Sequence, residues 1–189
     1  MRGWAIFIKT STVGLICLCT IVPFLSGIHG IKRRNRDSKM LTPEMRTLIE
    51  ENTLGLIATV TPDGKPAVSP KATTVVLSPN EIAFLDIRSP KTRRNVKANP
   101  NVELNYVDVF RRKACRLTGT ANYINPGSAE FSNLRNMFKE FEDFLDGIHG
   151  IFQVTISNAQ IIVSPAYDGG AKENDLKTAW LSKYTELLG

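Results

Sequence analysis

Beyond Met40 the chain alternates apolar and polar residues in short runs, and this period of two predicts strands rather than helices. Strands are expected over residues 54–61, 67–77, 81–87, 102–109, 114–124, 151–157 and 159–164. Thr61-Pro62-Asp63-Gly64 separates the first two as a tight turn, with proline presetting its φ and glycine taking the left-handed one, so they form a hairpin. Ser78-Pro79-Asn80 and Asn125-Pro126-Gly127 are further breaks.

Helical spacing enters at four places. Thr42-Pro43 reads as an N-cap and first-turn proline, and Met45, Leu48 and Ile49 then make one apolar face of a helix ending near Asn52. Ser89-Pro90 repeats that signal before a short basic helix, which must stop ahead of Asn99-Pro100. Phe131, Leu134, Phe138, Phe141 and Leu145 form a stripe on a longer helix, best read as a packing face. A last helix is expected over residues 171–188. Many strands, short turns and few helices predict a mainly β domain with flanking helices, built as a closed antiparallel barrel. No G-x-G-x-x-G follows a strand, which argues against a doubly wound nucleotide fold.

Charge changes this picture less than the net +6 suggests. Residues 1–39 hold seven basic side chains against Asp37 alone, which accounts for all of it, and the rest balances at 17 basic and 17 acidic. A neutral main domain with few strand aromatics does not look like a nucleic-acid barrel. The three cysteines lack disulfide or zinc spacing, and two histidines leave little for a metal site.

Residues 10–31 carry no Asp, Glu, Lys or Arg and are long enough to span a bilayer. The stronger basic cluster, Lys32-Arg33-Arg34-Asn35-Arg36, follows the run and would leave the main domain in the cytoplasm, anchored to the membrane. A cleaved signal and an upstream extension before a start at Met40 are the other readings. The domains expected are therefore 1–39, the hydrophobic segment, and 40–189, the barrel.

Several blocks, taken in order, resemble a known family. Leu54-Gly55-Leu56-Ile57-Ala58-Thr59-Val60, Asp63-Gly64-Lys65-Pro66 and Val68-Ser69-Pro70-Lys71 are similar to the opening hairpin of the pyridoxamine 5′-phosphate oxidase-like FMN-binding split-barrel family. Ile87-Arg88-Ser89-Pro90-Lys91-Thr92, Asn99-Pro100 and Val102-Glu103-Leu104 are similar to its next block, Gly119-Thr120-Ala121 to the strand after, and Ser164-Pro165-Ala166-Tyr167-Asp168 to the tail of one subgroup. The resemblance implies a six-stranded antiparallel Greek-key split barrel, a homodimer, and FMN between two subunits. It leaves open an FMN-dependent oxidoreductase of a small molecule, a deazaflavin-dependent reductase, and a flavin- or haem-binding module without turnover. The arginine- and histidine-containing segment with which true pyridoxamine-phosphate oxidases hold their substrate has no clear counterpart here.

The residues themselves offer an anion site at the basic helix. Capping by Ser89 would leave backbone N–H groups free near Lys91 and Thr92, where the helix dipole also favours negative charge. Arg88, Lys91 and Arg94 add charge, and the hydroxyls of Ser89 and Thr92 add hydrogen bonds; a solvated basic helix is the plainer alternative. On the second strand Ser69, Lys71 and Thr73 share one face by period two. Given the resemblance, Ser69, Lys71, Thr73, Arg88, Ser89, Lys91 and Thr92 are the expected FMN contacts, with Lys71 near the flavin's pyrimidine edge or its phosphate. The cluster Arg111-Arg112-Lys113 with Arg116 is a solvated turn or the landing place of a nicotinamide donor. Tyr106 and Trp180 are expected in core packing, with stacking on a flavin or closing the dimer groove as the alternatives, and His149 as a helix C-terminal cap, with a proton donor near the flavin as its rival role. No side chain is singled out as nucleophile, general acid or general base.

Overall fold

The computed structural model describes residues 40–189. The expectations for residues 1–39, the membrane span at 10–31 among them, lie outside the described residues. Among the described residues no helix is long and apolar enough to cross a membrane.

The chain opens with α1 (Pro43–Glu51), where the Thr42 hydroxyl accepts from Met45 N and Met45, Leu48 and Ile49 are buried. Strands β1 (Gly55–Val60), β2 (Pro66–Lys71), β3 (Thr74–Ser78) and β4 (Glu81–Asp86) follow, then α2 (Pro90–Ala98). After β5 (Asn101–Asp108) and β6 (Lys113–Ile124) come α3 (Ala129–Arg135) and a 3₁₀ segment, Lys139–Gly147. Strand β7 (Gly150–Val163) and helix α4 (Glu173–Leu187) complete the domain. In the first hairpin Gly64 takes φ +81° and donates to Thr61 O at 2.8 Å, as the turn sequence requires.

Neighbouring strands all pair antiparallel, in the spatial order β2-β1-β5-β6-β7-β4-β3. The sheet has seven strands where the resemblance implied six, and it is not closed. The run expected over 67–77 is divided at Ala72 and Thr73 into β2 and β3, which are the two edges of the sheet. Three Cα steps join Lys71 to Thr74, so these edges come within about 11 Å of each other. The sheet therefore curls into a barrel split between β2 and β3. Conversely, the two strands expected over 151–164 are one, β7. Its Ser157 is the extra residue of a β-bulge, since Asn158 pairs with Thr118 and Ile156 with Gly119.

Inward-facing positions of every strand except β2 make the main core, including Ile57, Val76, Phe84, Leu104, Leu117 and Phe152, and α1 packs its apolar face into it. Phe84 and Phe152 stack at 4.9 Å between centroids. A second cluster lies on the other face of β4 and β7, where Ala83, Leu85 and Ile151 meet Phe138, with Phe131, Leu134 and Phe141 against them. The aromatic stripe is thus a packing face, but not on one long helix. Phe141 is non-helical within the 3₁₀ segment (φ −114°, ψ 28°), and the stripe is shared between two short pieces.

Candidate functional site

Inner-face positions become polar at one end of the barrel. Strand β4 runs Ile82, Phe84, Asp86 inward, so an acid ends an apolar row, and none of the Asp86 side chain is exposed. Thr59, Ser69 and Lys71 lie inward on β1 and β2, and Tyr123 does so on β6, opposite Phe152. Helix α2 lies over this end. Its inner face presents Thr92, Asn95 and Val96, all buried.

Two polar networks hold α2 there. On the β2 flank the Thr92 and Ser69 hydroxyls are 3.3 Å apart, and Lys71 Nζ donates to Ser69 Oγ at 2.9 Å. Asn95 Nδ2 donates to Thr59 Oγ1 at 3.0 Å, and buried Asn95 Oδ1 has no partner. On the β6 flank Asp86 accepts from Ser89 N at 2.9 Å and from the Tyr123 hydroxyl at 3.0 Å. Arg93 Nε lies 2.9 Å from Asp86 Oδ2, off the line a hydrogen bond needs, so the contact is an ion pair. The one Tyr123 proton is shared between Asp86 and His149 O, and His149 N donates to Asp86 O. His149 therefore contributes its backbone to this network. Gly150 is required beside it, because a Cβ there would run into the Tyr123 ring.

These surroundings move two ionisations. Burial lowers the pKa of the Lys71 ammonium, and the negative charge of Asp86 partly offsets this. Burial, reinforced by the hydrogen bond to Asp86 and by that residue's charge, pushes the Tyr123 phenol up to about 12, so it stays a donor at neutral pH.

The start of α2 differs from the expectation in one respect. The Ser89 hydroxyl does not cap the helix; Ser89 instead donates its backbone N–H to Asp86. The first helical bond is Arg93 N to Ser89 O, so the N–H groups of Lys91 and Thr92 precede any intrahelical acceptor. Uncapped donors, the helix dipole and two nearby hydroxyls form an anion-ready corner, with the Lys71 ammonium at its edge.

The structure brings Ser69, Lys71 and Thr92 together and leaves Arg88 and Lys91 exposed at the mouth of α2. Thr73 stands apart. The break between β2 and β3 ends the period-two row, and its buried hydroxyl accepts from Leu85 N at 3.0 Å. Arg94 lies on the opposite flank of the helix. Tyr106 is fully buried in the core and bonded to Thr74 at 2.9 Å, and Trp180 lies against Arg112 at the far end of β6. Asp86, Arg93, Asn95 and Tyr123 were not among the expected residues. Asp86 had a signal, an acid closing an inward apolar row. Thr92 and Asn95 had another, polar side chains at a three-residue step on the inner face of a helix. Among the described residues no group of His, Cys, Asp and Glu comes together that could hold a metal.

This architecture has known relatives. A putatively named pyridoxamine 5′-phosphate oxidase from Lactobacillus delbrueckii is 25% identical, with a TM-score of 0.56 over 66% of this chain and 97% of its own. HupZ from Group A Streptococcus shares 24% identity, with a TM-score of 0.55 over 64% of this chain and 92% of its own. A protein from Clostridium acetobutylicum related to general stress protein 26 has the same fold at 15% identity, with a TM-score of 0.53 over 64% of this chain and 86% of its own. No curated protein matches the chain. Residues 41–161 match the family model described as pyridoxamine 5′-phosphate oxidase, a span that includes all seven strands almost to the end of β7 and the whole polar end of the barrel. The chain belongs to the pyridoxamine 5′-phosphate oxidase family.

Proposed function

We propose that the domain binds FMN at the polar end of the barrel and works as a flavin-dependent oxidoreductase on a small molecule. The observation that carries this reading is the corner where the uncapped start of α2 meets Ser69, Thr92 and Lys71. A phosphate there would accept from the N–H groups of Lys91 and Thr92 and from the two hydroxyls. Lys71, Arg88 and Lys91 would supply positive charge, and charge-assisted bonds of this kind are stronger than neutral ones. Ser89 shapes the corner through its backbone, and Thr73 holds the split edge in place through Leu85.

Buried Asn95 Oδ1, an acceptor with no donor, is further room for a polar ligand or an ordered water. The flavin, when bound, supplies the redox chemistry, and this chain's residues bind it, orient it and set its electrostatic surroundings. Lys71 is the residue placed to favour negative charge on a bound group, being the ammonium directed into the corner.

A second copy of the chain would complete the site. Leu56, Val68 and Val107 are exposed on the outer faces of β1, β2 and β5, with Leu54 just before β1, and an apolar surface of this kind suits a dimer contact. The decisive test is the absorbance of the full chain purified without added cofactor, followed by a nicotinamide donor and then air. An oxidised-flavin spectrum that bleaches and returns supports the oxidoreductase. A flavin spectrum that no donor bleaches leaves a binding module, and a colourless protein that takes up no FMN refutes the reading.

A further inference from the structure

Two clusters of cations in this domain differ in how their charge is answered. Those around the β5–β6 turn are answered within the protein. Arg111 pairs with Glu51 at 2.7 Å and Asp108 at 3.3 Å, and Lys113 with Glu173 at 2.6 Å and Glu44 at 3.0 Å. Arg116 pairs with Glu103 at 3.3 Å, and the Arg112 guanidinium lies 4.1 Å from the centre of the Trp180 ring. That cluster fastens α1 and α4 to the barrel and has little charge left for a ligand.

Helix α2 is the reverse. No acid occurs between Asp86 and Glu103, while Arg88, Lys91, Arg93, Arg94 and Lys97 fall in that stretch. Among the described residues, Lys91, Arg94 and Lys97 form no direct ion pair, and only Arg94 is within electrostatic reach of an acid, the exposed Asp63 of the β1–β2 turn. Pro90, Arg93, Arg94 and Lys97 follow at three- and four-residue steps and share the flank turned away from Thr92 and Asn95. They line an open depression of about 350 Å³. The Lys97 side chain also borders a second depression, of about 280 Å³. Val96, Pro100 and Ala121 give that second hollow apolar walls, and Asn122 gives it an amide. The Tyr123 ring braces the junction, with Arg93 at 5.4 Å and Lys97 at 5.3 Å from its centre.

A cationic hollow continuing into an apolar one with a single amide suits a ligand that joins a polyanion to a flat, weakly polar ring. We propose that this groove binds a nucleotide carrying a diphosphate. The phosphates lie on Arg94 and Lys97, with Arg93, already paired with Asp86, at their rim, and the base rests on Pro100 with Asn122 at its edge. The groove is separate from the Ser69–Lys71–Thr92 corner, which lies under the helix on its β2 flank, whereas the first hollow lies on the outer face of the helix and the second on its β6 flank. Its biochemical role rests on the flavin reading, because a dinucleotide held here is the electron donor such a domain needs. Its existence does not.

The test is calorimetric titration of the full, FMN-supplemented protein with ADP, pyrophosphate and adenosine, with bound flavin measured on the same samples. ADP should saturate, and pyrophosphate and adenosine should each bind more weakly. R94E/K97E should weaken ADP about tenfold, as expected for reversing two exposed charge contacts, while bound flavin stays unchanged. R94Q/K97Q, which avoids new repulsion, should weaken it less. No saturable ADP binding, equal binding by R94E/K97E and wild type, or pyrophosphate binding as tightly as ADP would each overturn the proposal. A protein that lacks flavin yet binds ADP contradicts only the flavin reading, and one that holds flavin yet ignores ADP contradicts only the groove.

Discussion

The hydroxyls of Ser69 and Thr92 lie 3.3 Å apart although 23 residues separate them, and this contact ties the edge strand β2 to the first turn of α2. Whichever hydroxyl donates in this contact, the other keeps its proton for an outside acceptor, while Ser69 also accepts from Lys71. Thr92→Ala removes one of the two and leaves the helix backbone intact. FMN affinity should fall about tenfold while the fold loses about 1 kcal/mol, typical of one hydrogen bond. Thr92→Ser should restore most of the binding. Fluorescence titration and urea unfolding of the two variants measure these effects separately.

Lys71 gives the site a pH dependence whose sign can be worked out. Burial lowers its pKa in the folded protein below the ordinary 10.5, so the unfolded chain holds this proton more tightly. Its contribution to stability is therefore complete above 10.5 and is lost as pH falls through the lowered folded value. Anion binding runs the other way, because it needs the ammonium. FMN affinity should decline as pH rises through the lowered pKa, earlier than an unperturbed lysine would allow. Lys71→Met should bind FMN more weakly and lose that alkaline limb. A variant with wild-type affinity, flavin potential and pH profile would remove Lys71 from the site.

Asp86 gathers Ser89 N, the Tyr123 hydroxyl and Arg93 around one fully buried carboxylate. Asp86→Asn keeps the shape but removes the charge, leaving Arg93 without its acid and forcing an amide N–H₂ toward donors. Because Arg93 is 30% exposed, water relieves part of the loss, and about 2 kcal/mol of destabilisation is expected. Chemical denaturation measures it directly. The variant should also lose FMN affinity, since the start of α2 is no longer held.

Much of this was legible in the residues. The Thr42-Pro43 signal, the Asp63-Gly64 turn and the strand over 114–124 needed only local rules, and the structure carries all three. The basic helix was also legible, because Pro90 starts it and Asn99-Pro100 ends it. What local rules missed was set by tertiary geometry. Residues 67–77 show one continuous β pattern, yet β2 and β3 pair at opposite edges of the sheet, and the chain must turn at Ala72 and Thr73 to reach both. That same break takes Thr73 out of the row containing Ser69 and Lys71. Ser89 looked like a side-chain cap, but Asp86 three residues earlier reaches its N–H and fixes it differently. Arg93 and Arg94 are adjacent in sequence, and only the placement of Tyr123 and Asp86 decides which one turns toward the buried acid.

Cys115 tests the integrity of the barrel independently of any ligand. It faces Tyr106 across β5 and β6, is fully buried, and burial pushes its thiol up to about 12. The folded protein should not be modified there by a thiol reagent at neutral pH, since the thiolate is the reactive form. Peptide mapping after brief labelling should show modification at Cys115 only in denaturant, with a midpoint matching the unfolding transition. Rapid labelling in native buffer would mean that the β5–β6 interior is open.

The central claim is that a phosphate anchors the flavin at the start of α2, and comparing FMN with riboflavin isolates that phosphate. Fluorescence-quenching titrations of the full chain should show FMN binding at least about tenfold more tightly than riboflavin, the margin expected of a single charged anchor. Equal affinities, or no quenching of FMN at saturating protein, would contradict it.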